Sequence, residues 1–206
     1  MIAETTPLFS ILLLGFAAGV VHAFDPDHLA AVSGMSGRDK GRHSLRFALH
    51  WGLGHGLAVI AVASLVLLAG TAIPFEFSAF AEAMVGWMLI GIGGLSFYHL
   101  WRQHQSHDSK QGVLSSAVLI GVIHGSAGSA PLLAVIPAAG LANPSLGMFH
   151  VLLFNLGLIV AMAALGFALR GGFSRLSRGH QWLQHAVQSV SAVFAIGFGF
   201  FLLLSQ

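Results

Sequence analysis

The chain has no cysteine. That excludes disulfides, thiolate metal sites and dithiol electron transfer. Charge is nearly as scarce: 8% of the 206 residues are Asp, Glu, Lys or Arg, against about 25% in soluble domains. The formal net charge of +2 gives no surface for nucleic acid. The only lysines are Lys40 and Lys110, and neither sits in a phosphate-binding loop, which argues against an ATP-driven pump. A zinc-dependent intramembrane protease would need HExxH, and no such motif occurs. Gly125-Ser126-Ala127-Gly128 has the wrong order for the Gly-x-Ser-Gly of a rhomboid-like serine protease. The first residues, MIAETTP, lack the basic region of a signal peptide, so the first apolar run is expected to be a retained span.

What is present is apolar. Hydrophobic residues make up 56% of the chain, with 26 glycines, and the mean hydropathy is +0.83. Glycine is frequent in transmembrane helices. The composition is that of an all-α integral membrane protein. A span needs roughly 20 apolar residues. Six are read: 7–35, 45–69, 79–101, 112–138, 145–169 and 182–204. All nine Lys and Arg fall near alternate connections: Arg38, Lys40, Arg42 and Arg46; Arg102 and Lys110; Arg170, Arg175 and Arg178. The positive-inside rule puts those three loops in the cytoplasm and both termini outside. Trp101 and Trp182 fall at span ends, as interfacial anchors do.

The two halves resemble each other. Gly19-Val20-Val21-His22 recurs as Gly121-Val122-Ile123-His124, shifted by 102 residues, and Leu29-Ala30-Ala31-Val32 resembles Leu132-Leu133-Ala134-Val135, shifted by 103. Half the chain is 103 residues. The expectation is a single transmembrane domain over 1–206, built of repeats at about 1–103 and 104–206. Three spans per repeat is an odd number, so the copies face opposite ways. That is the inverted repeat of secondary transporters, which bind substrate near the midplane.

The chemistry concentrates in VHAFDPDHLAAV, residues 21–32. An ionised Asp at mid-helix costs about 2.5–3.5 kcal/mol on insertion scales, so Asp25 and Asp27 need a reason. Asp25-Pro26 is a helix start signal, with Asp as N-cap and Pro in the first helical position. Span 1 is expected to break near Pro26. Such a break is tolerated where it lines a cavity or is buried in protein. It also lets His22, Asp25, Asp27 and His28 converge, and frees the His22 carbonyl. Two imidazoles and two carboxylates suit Ni, Co, Zn, Fe or Mn, and do not suit Cu(I). The other reading makes Asp25–His28 the solvated cytoplasmic end of span 1; the continuing apolar run Leu29–Val32 speaks against it.

Other polar groups lie at membrane depth. His55 in span 2 is either a ligand or a structural interhelical hydrogen-bond partner. Gly52 and Gly56 would let its helix approach span 1 closely. His50, His124 and Asn155 are candidates for the pathway. Where the first repeat has Asp25, Asp27 and His28, the second has Ala127, Ser129 and Ala130, so the site is expected to be asymmetric. The stretch from His99 to Asp108, with His104 and His107 between, is read as a solvated loop or as one that receives a metal.

His22-x4-Asp27-His28, with Asp25 inside it, resembles the signature of the nickel/cobalt transporter (NiCoT) family, closest to its short UreH-like branch. Leu53-Gly54-His55 matches the core of that family's second signature; the following Gly56-Leu57-Ala58 departs from it. The family's acidic later signature is absent. The resemblance implies a carrier of Ni2+ or Co2+, not an enzyme, with His22, Asp25, Asp27, His28 and His55 as metal ligands. The expected partners are the metal, as cargo, and the lipid bilayer. No resident cofactor and no nucleic acid are expected. The alternatives are an exporter or carrier of another metal or small ion on the same scaffold, and an intramembrane protease. An organic anion would favour basic residues at the midplane, and none lies there.

Overall fold

The computed structural model describes residues 2–38, 44–70, 75–102, 110–127, 129–141, 143–179 and 181–205. Lys40, Arg42 and the loop with His104, His107 and Asp108 lie outside the described residues. The described chain is all helical: α1 (Ile2–His22), α2 (Pro26–Arg38), α3 (Ser44–Ala69), α4 (Phe75–Arg102), α5 (Lys110–Gly125), α6 (Ser129–Ala139), α7 (Pro144–Gly179) and α8 (Gln181–Leu204). Four of these, α3, α4, α7 and α8, contain stretches long and apolar enough to cross a membrane.

The first apolar run breaks where Asp-Pro predicts it. Asp25 caps α2: its carbonyl accepts the Leu29 N–H at 3.0 Å. Pro26, with no N–H to satisfy, takes the first helical position. The His22 carbonyl is not left free by the break. It accepts the Asp25 N–H at 3.0 Å.

A second break was not expected. The run 112–138, read as one span, is split between Gly125 and Ser129 into α5 and α6. The described part of its turn repeats one hydrogen bond of the first turn. The Ala127 N–H donates to the His124 carbonyl at 3.2 Å, as that of Asp25 does to His22. The fifth run also ends later than expected, since α7 continues past residue 169 through Arg170 to Gly179. Asn143-Pro144 starts α7 as Asp25-Pro26 starts α2. The Asn143 side-chain oxygen accepts the Ser145 N–H at 2.9 Å. Gly70, at φ 62°, ends α3 in the left-handed conformation that favours glycine.

Glycines set the helix crossings, and the crossings come in pairs. A Cβ on Gly19 (α1) would strike the Phe154 carbonyl (α7); one on Gly121 (α5) would strike the Trp51 carbonyl (α3). Likewise Gly157 abuts the Phe16 carbonyl, and Gly54 abuts the Val118 carbonyl. Gly52 faces Ile159, and Gly56 faces Asn155. Every pair maps onto its twin by the 102- or 103-residue shift read in the sequence. The order of contacts also gives direction. Gly15 faces His150 and Gly19 faces Phe154, so α1 and α7 are parallel. Gly121 lies at Trp51 and Gly125 at His55 and Ala58, so α3 and α5 are parallel. The Gly52–Ile159 and Gly56–Asn155 contacts make α3 and α7 antiparallel. Gly86 at Leu203 and Gly93 at Ala192 do the same for α4 and α8. The two faces of the bundle are therefore the one where α1 and α7 begin and the one where α3 and α5 begin.

The outside of the bundle is apolar. Leu53 and Leu57 of α3, Phe80 and Trp87 of α4, and Val190 and Val193 of α8 are exposed. Soluble proteins rarely expose so much contiguous apolar surface; lipid is its natural solvent. Trp101 and Trp182, the expected anchors, are exposed at the end of α4 and the start of α8.

A buried imidazole centre between the two helix breaks

The breaks deliver polar side chains to the middle of the bundle. His22 ends α1, His28 lies in the first turn of α2, His55 is mid-α3, and His124 lies at the end of α5. All four are buried. Their rings touch: His22–His28 centroids are 4.5 Å apart, His22–His55 5.3 Å, His28–His55 5.2 Å and His28–His124 5.5 Å.

Hydrogen bonds fix two tautomers. Asp25 Oδ2 accepts from His22 Nδ1 at 2.9 Å. A carboxylate only accepts, so Nδ1 carries the hydrogen and Nε2 keeps its lone pair. His124 Nδ1 donates to the Ile120 carbonyl at 3.1 Å, which leaves its Nε2 lone pair directed inward. His22 Nε2 and His55 Nε2 share an interhelical hydrogen bond at 3.3 Å. Two nitrogens bound to one tetrahedral metal at about 2.0–2.1 Å are themselves about 3.3 Å apart. One nitrogen each from His22, His28 and His55 lies within 4.8 Å of the others.

Several buried polar atoms here have no protein hydrogen-bond partner: His28 Nδ1, His55 Nδ1, His124 Nε2, Trp51 Nε1 and Asn155 Oδ1. Each such group costs about 1–3 kcal/mol. Neutral imidazole nitrogens in this condition are the donor set a borderline divalent cation takes.

The carboxylates take different posts. Asp25 holds the far nitrogen of His22, an arrangement that orients a metal-binding imidazole and raises its basicity. Asp27 Oδ2 lies between His28 Nε2, at 4.0 Å, and His124 Nε2, at 3.9 Å. It spans the two halves of the chain. Both aspartates are only partly buried.

The remaining candidates divide. His124 joins the centre. His50 does not: its Nδ1 donates to the Arg46 carbonyl at 2.8 Å on its own helix. Five positions from His55 is about 140° around the helix. Asn155 is buried on α7, its Nδ2 donating to the Val151 carbonyl at 3.0 Å and its Oδ1 near Gly56. Ser126 Oγ donates to the Ile123 carbonyl at 2.9 Å, so its hydroxyl is engaged with backbone and is no poised nucleophile. Two aromatic residues that sequence reasoning left aside pack on the centre. Trp51 lies 4.7 Å from the His28 ring, and Phe154 5.3 Å from that of His22. Their signal was the repeat itself, since 51 and 154 differ by 103. His150, buried one turn before Phe154, was also missed.

Apolar flanks, helix breaks inside the bundle and a buried nitrogen cluster define a membrane protein with a candidate metal centre. The chain is 30% identical to the urease accessory protein UreH of Bacillus sp. (strain TB-90), over 77% of this chain and 75% of that one. It belongs to the UreH family. It is also 26% and 25% identical to the chloroplast proteins FOR GROWTH AND FERTILITY 1 and 2 of Arabidopsis thaliana. Each match covers 93% of this chain, which spans 58% and 55% of the two plant proteins. No protein-family profile and no solved structure matches the chain.

Proposed function

We propose that this protein carries a divalent transition-metal cation, Ni2+ or Co2+, across a bacterial plasma membrane. The observation that carries the reading is the 3.3 Å approach of His22 Nε2 to His55 Nε2, with His28 beside both. In this reading His22, His28 and His55 are ligands, and His124 is the ligand supplied by the second half. Asp25 orients His22, and Asp27 supplies charge to the ion between His28 and His124. Two carboxylates balance one divalent cation, which offsets the cost of stripping its water. The urease link in the name of the Bacillus relative favours nickel.

The scaffold is then six spans in two inverted three-helix repeats. The first repeat is α1 to α4 and the second α5 to α8, with the first and fourth spans broken. The twinned glycine contacts and the opposed directions of α3 and α7, and of α4 and α8, support this reading. So does the loop charge, which sets the face where α3 and α5 begin in the cytoplasm and both termini outside. Transport follows by alternating access, as one repeat rocks against the other around a fixed site. No ATP is hydrolysed by this chain. Import is the direction the family resemblance implies.

The test is uptake of radiolabelled Ni2+ and Co2+ in proteoliposomes. Wild type is expected to take up at least one of them. Asp27→Asn and His28→Ala are expected to fall to background. Variants that transport as wild type would refute the site, and a wild type that moves neither metal would refute the substrate.

A further inference from the structure

The imidazole centre is closed on two opposite sides by one aromatic residue each. Phe154 and Trp51 are both fully buried. The Phe154 ring centroid is 5.3 Å from that of His22, and the Trp51 centroid is 5.3 Å from that of His124. The first pair maps onto the second by the repeat shift: His22 to His124 is 102 residues, Trp51 to Phe154 is 103.

The twins sit at opposite depths. The Phe154 backbone meets Gly19, one turn before His22 on α1. That is toward the face where α1 and α7 begin. The Trp51 backbone meets Gly121, one turn before His124 on α5. That is toward the face where α3 and α5 begin. Each ring lies directly against the nitrogen cluster, Phe154 on His22 and Trp51 on His124, His28 and His55. Each is clamped by a glycine that allows its backbone, and no larger residue, to approach. One turn further out stand His150, facing Gly15, and Phe47, again twins by 103.

We propose that Phe154 and Trp51 are the two gates of the path, Phe154 toward the face where α1 and α7 begin and Trp51 toward the opposite face. The inference rests on the transport reading for its purpose. Its geometry stands on the structure alone. Both gates are closed here, with all four imidazoles buried and the two carboxylates partly exposed beside them. Rocking that parts α7 from α1 withdraws Phe154 from His22. The equivalent parting of α3 from α5 withdraws Trp51 from His124. Inversion makes one motion open one face while the other stays shut.

The absence of native cysteine allows a direct test with the full chain in liposomes, without added metal. Ala23, next to His22 and packed in the same cluster as Trp51, is 1% exposed and serves as reporter when changed to Cys. A membrane-impermeant maleimide is applied from each face in turn. With both gates intact, labelling is expected to be slow from both faces. Phe154→Ala is expected to speed labelling about tenfold or more from the α1/α7 face only, and Trp51→Ala from the α3/α5 face only, as the open state rises from a minor population. The double variant is expected to label from both. Phe154→Leu and Trp51→Phe, which keep most of the bulk, are expected to stay slow. Unchanged labelling, or a rise from both faces with one truncation, would overturn the proposal. The readout needs no metal movement, so sided labelling in a protein that moves neither Ni2+ nor Co2+ would keep the gates and refute only the cargo.

Discussion

The turns that follow His22 and His124 share a backbone hydrogen bond and differ in chemistry. In each, a buried histidine in the last turn of a helix has a carbonyl that accepts the N–H three residues on, at 3.0 and 3.2 Å. Each histidine carries an aromatic ring of the opposite half at 5.3 Å. Beyond that the first turn continues with Asp25, Asp27 and His28, and the second with Ala127, Ser129 and Ala130. The shape of the centre is thus a property of both halves, fixed by glycine-to-carbonyl crossings. Its charge is a property of the first half alone. Exchanging residues between twins separates the two contributions.

The largest effect is expected from giving the first turn the residue of the second at position 28. His28→Ala removes the one ring that touches His22, His55 and His124 together. Loss of groups that merely orient a metal ligand costs 10–100-fold in affinity, so loss of a ligand is expected to cost at least about 100-fold. Calorimetric Ni2+ titration of the purified protein checks it. His55→Leu, the change to its twin Leu158, is expected to match it. If either variant binds Ni2+ as wild type, the nitrogen cluster is not the site.

The asymmetry also decides what could be read from the sequence. The first break was legible because Asp25-Pro26 combines an N-cap with a residue that cannot donate a backbone hydrogen bond. The second was not. Gly125-Ser126-Ala127-Gly128 has no proline, and the apolar run continues through it, so nothing local marked the end of α5. His22, His28 and His55 were legible as polar residues at membrane depth. The division of labour between Asp25 and Asp27 was not, because it depends on which ring nitrogen faces inward. His50 lies at similar depth but bonds its own helix, since depth alone does not say which helix face a residue takes. His150 stood in an apolar run opposite Phe47, so the repeat gave it no twin histidine to announce it.

The next effect tests the shared shape. Gly19→Val and Gly121→Val each push a side chain into a carbonyl of the facing helix. Each is expected to cost about 1–3 kcal/mol or more of stability, and by similar amounts, read as thermal unfolding in detergent. A Cβ at Gly91 or Gly94 meets nothing within 4 Å; alanine there is expected to leave the melting temperature unchanged. Collapse at position 19 with tolerance at 121 would break the equivalence of the two crossings.

A smaller effect is expected from Asp25→Ala, again the residue of the twin. Its carboxylate bonds His22 Nδ1 and does not face His55. It is expected to lower Ni2+ affinity about 10–100-fold, as loss of an orienting carboxylate does, and to leave binding measurable. Asp25→Asn keeps an acceptor oxygen for the His22 N–H and is expected to recover part of the loss. If Asp25→Ala instead matches His28→Ala, the carboxylate is a ligand in its own right and the turn must rearrange around the ion.

The smallest effect separates depth from position. His50 is an imidazole on the same helix as His55, yet its twin is Leu153. Its ring is bonded to the carbonyl of Arg46 on its own helix. Changing it to Leu gives the first half one more residue of the second without entering the centre. A substitution away from such a site changes stability by within about 0.5 kcal/mol, and Ni2+ affinity is expected to stay at the wild-type value in the same titration. A loss of binding in His50→Leu would mean that the asymmetry between the halves extends a full turn beyond the break. The path would then include the α3 face that now lies outside it.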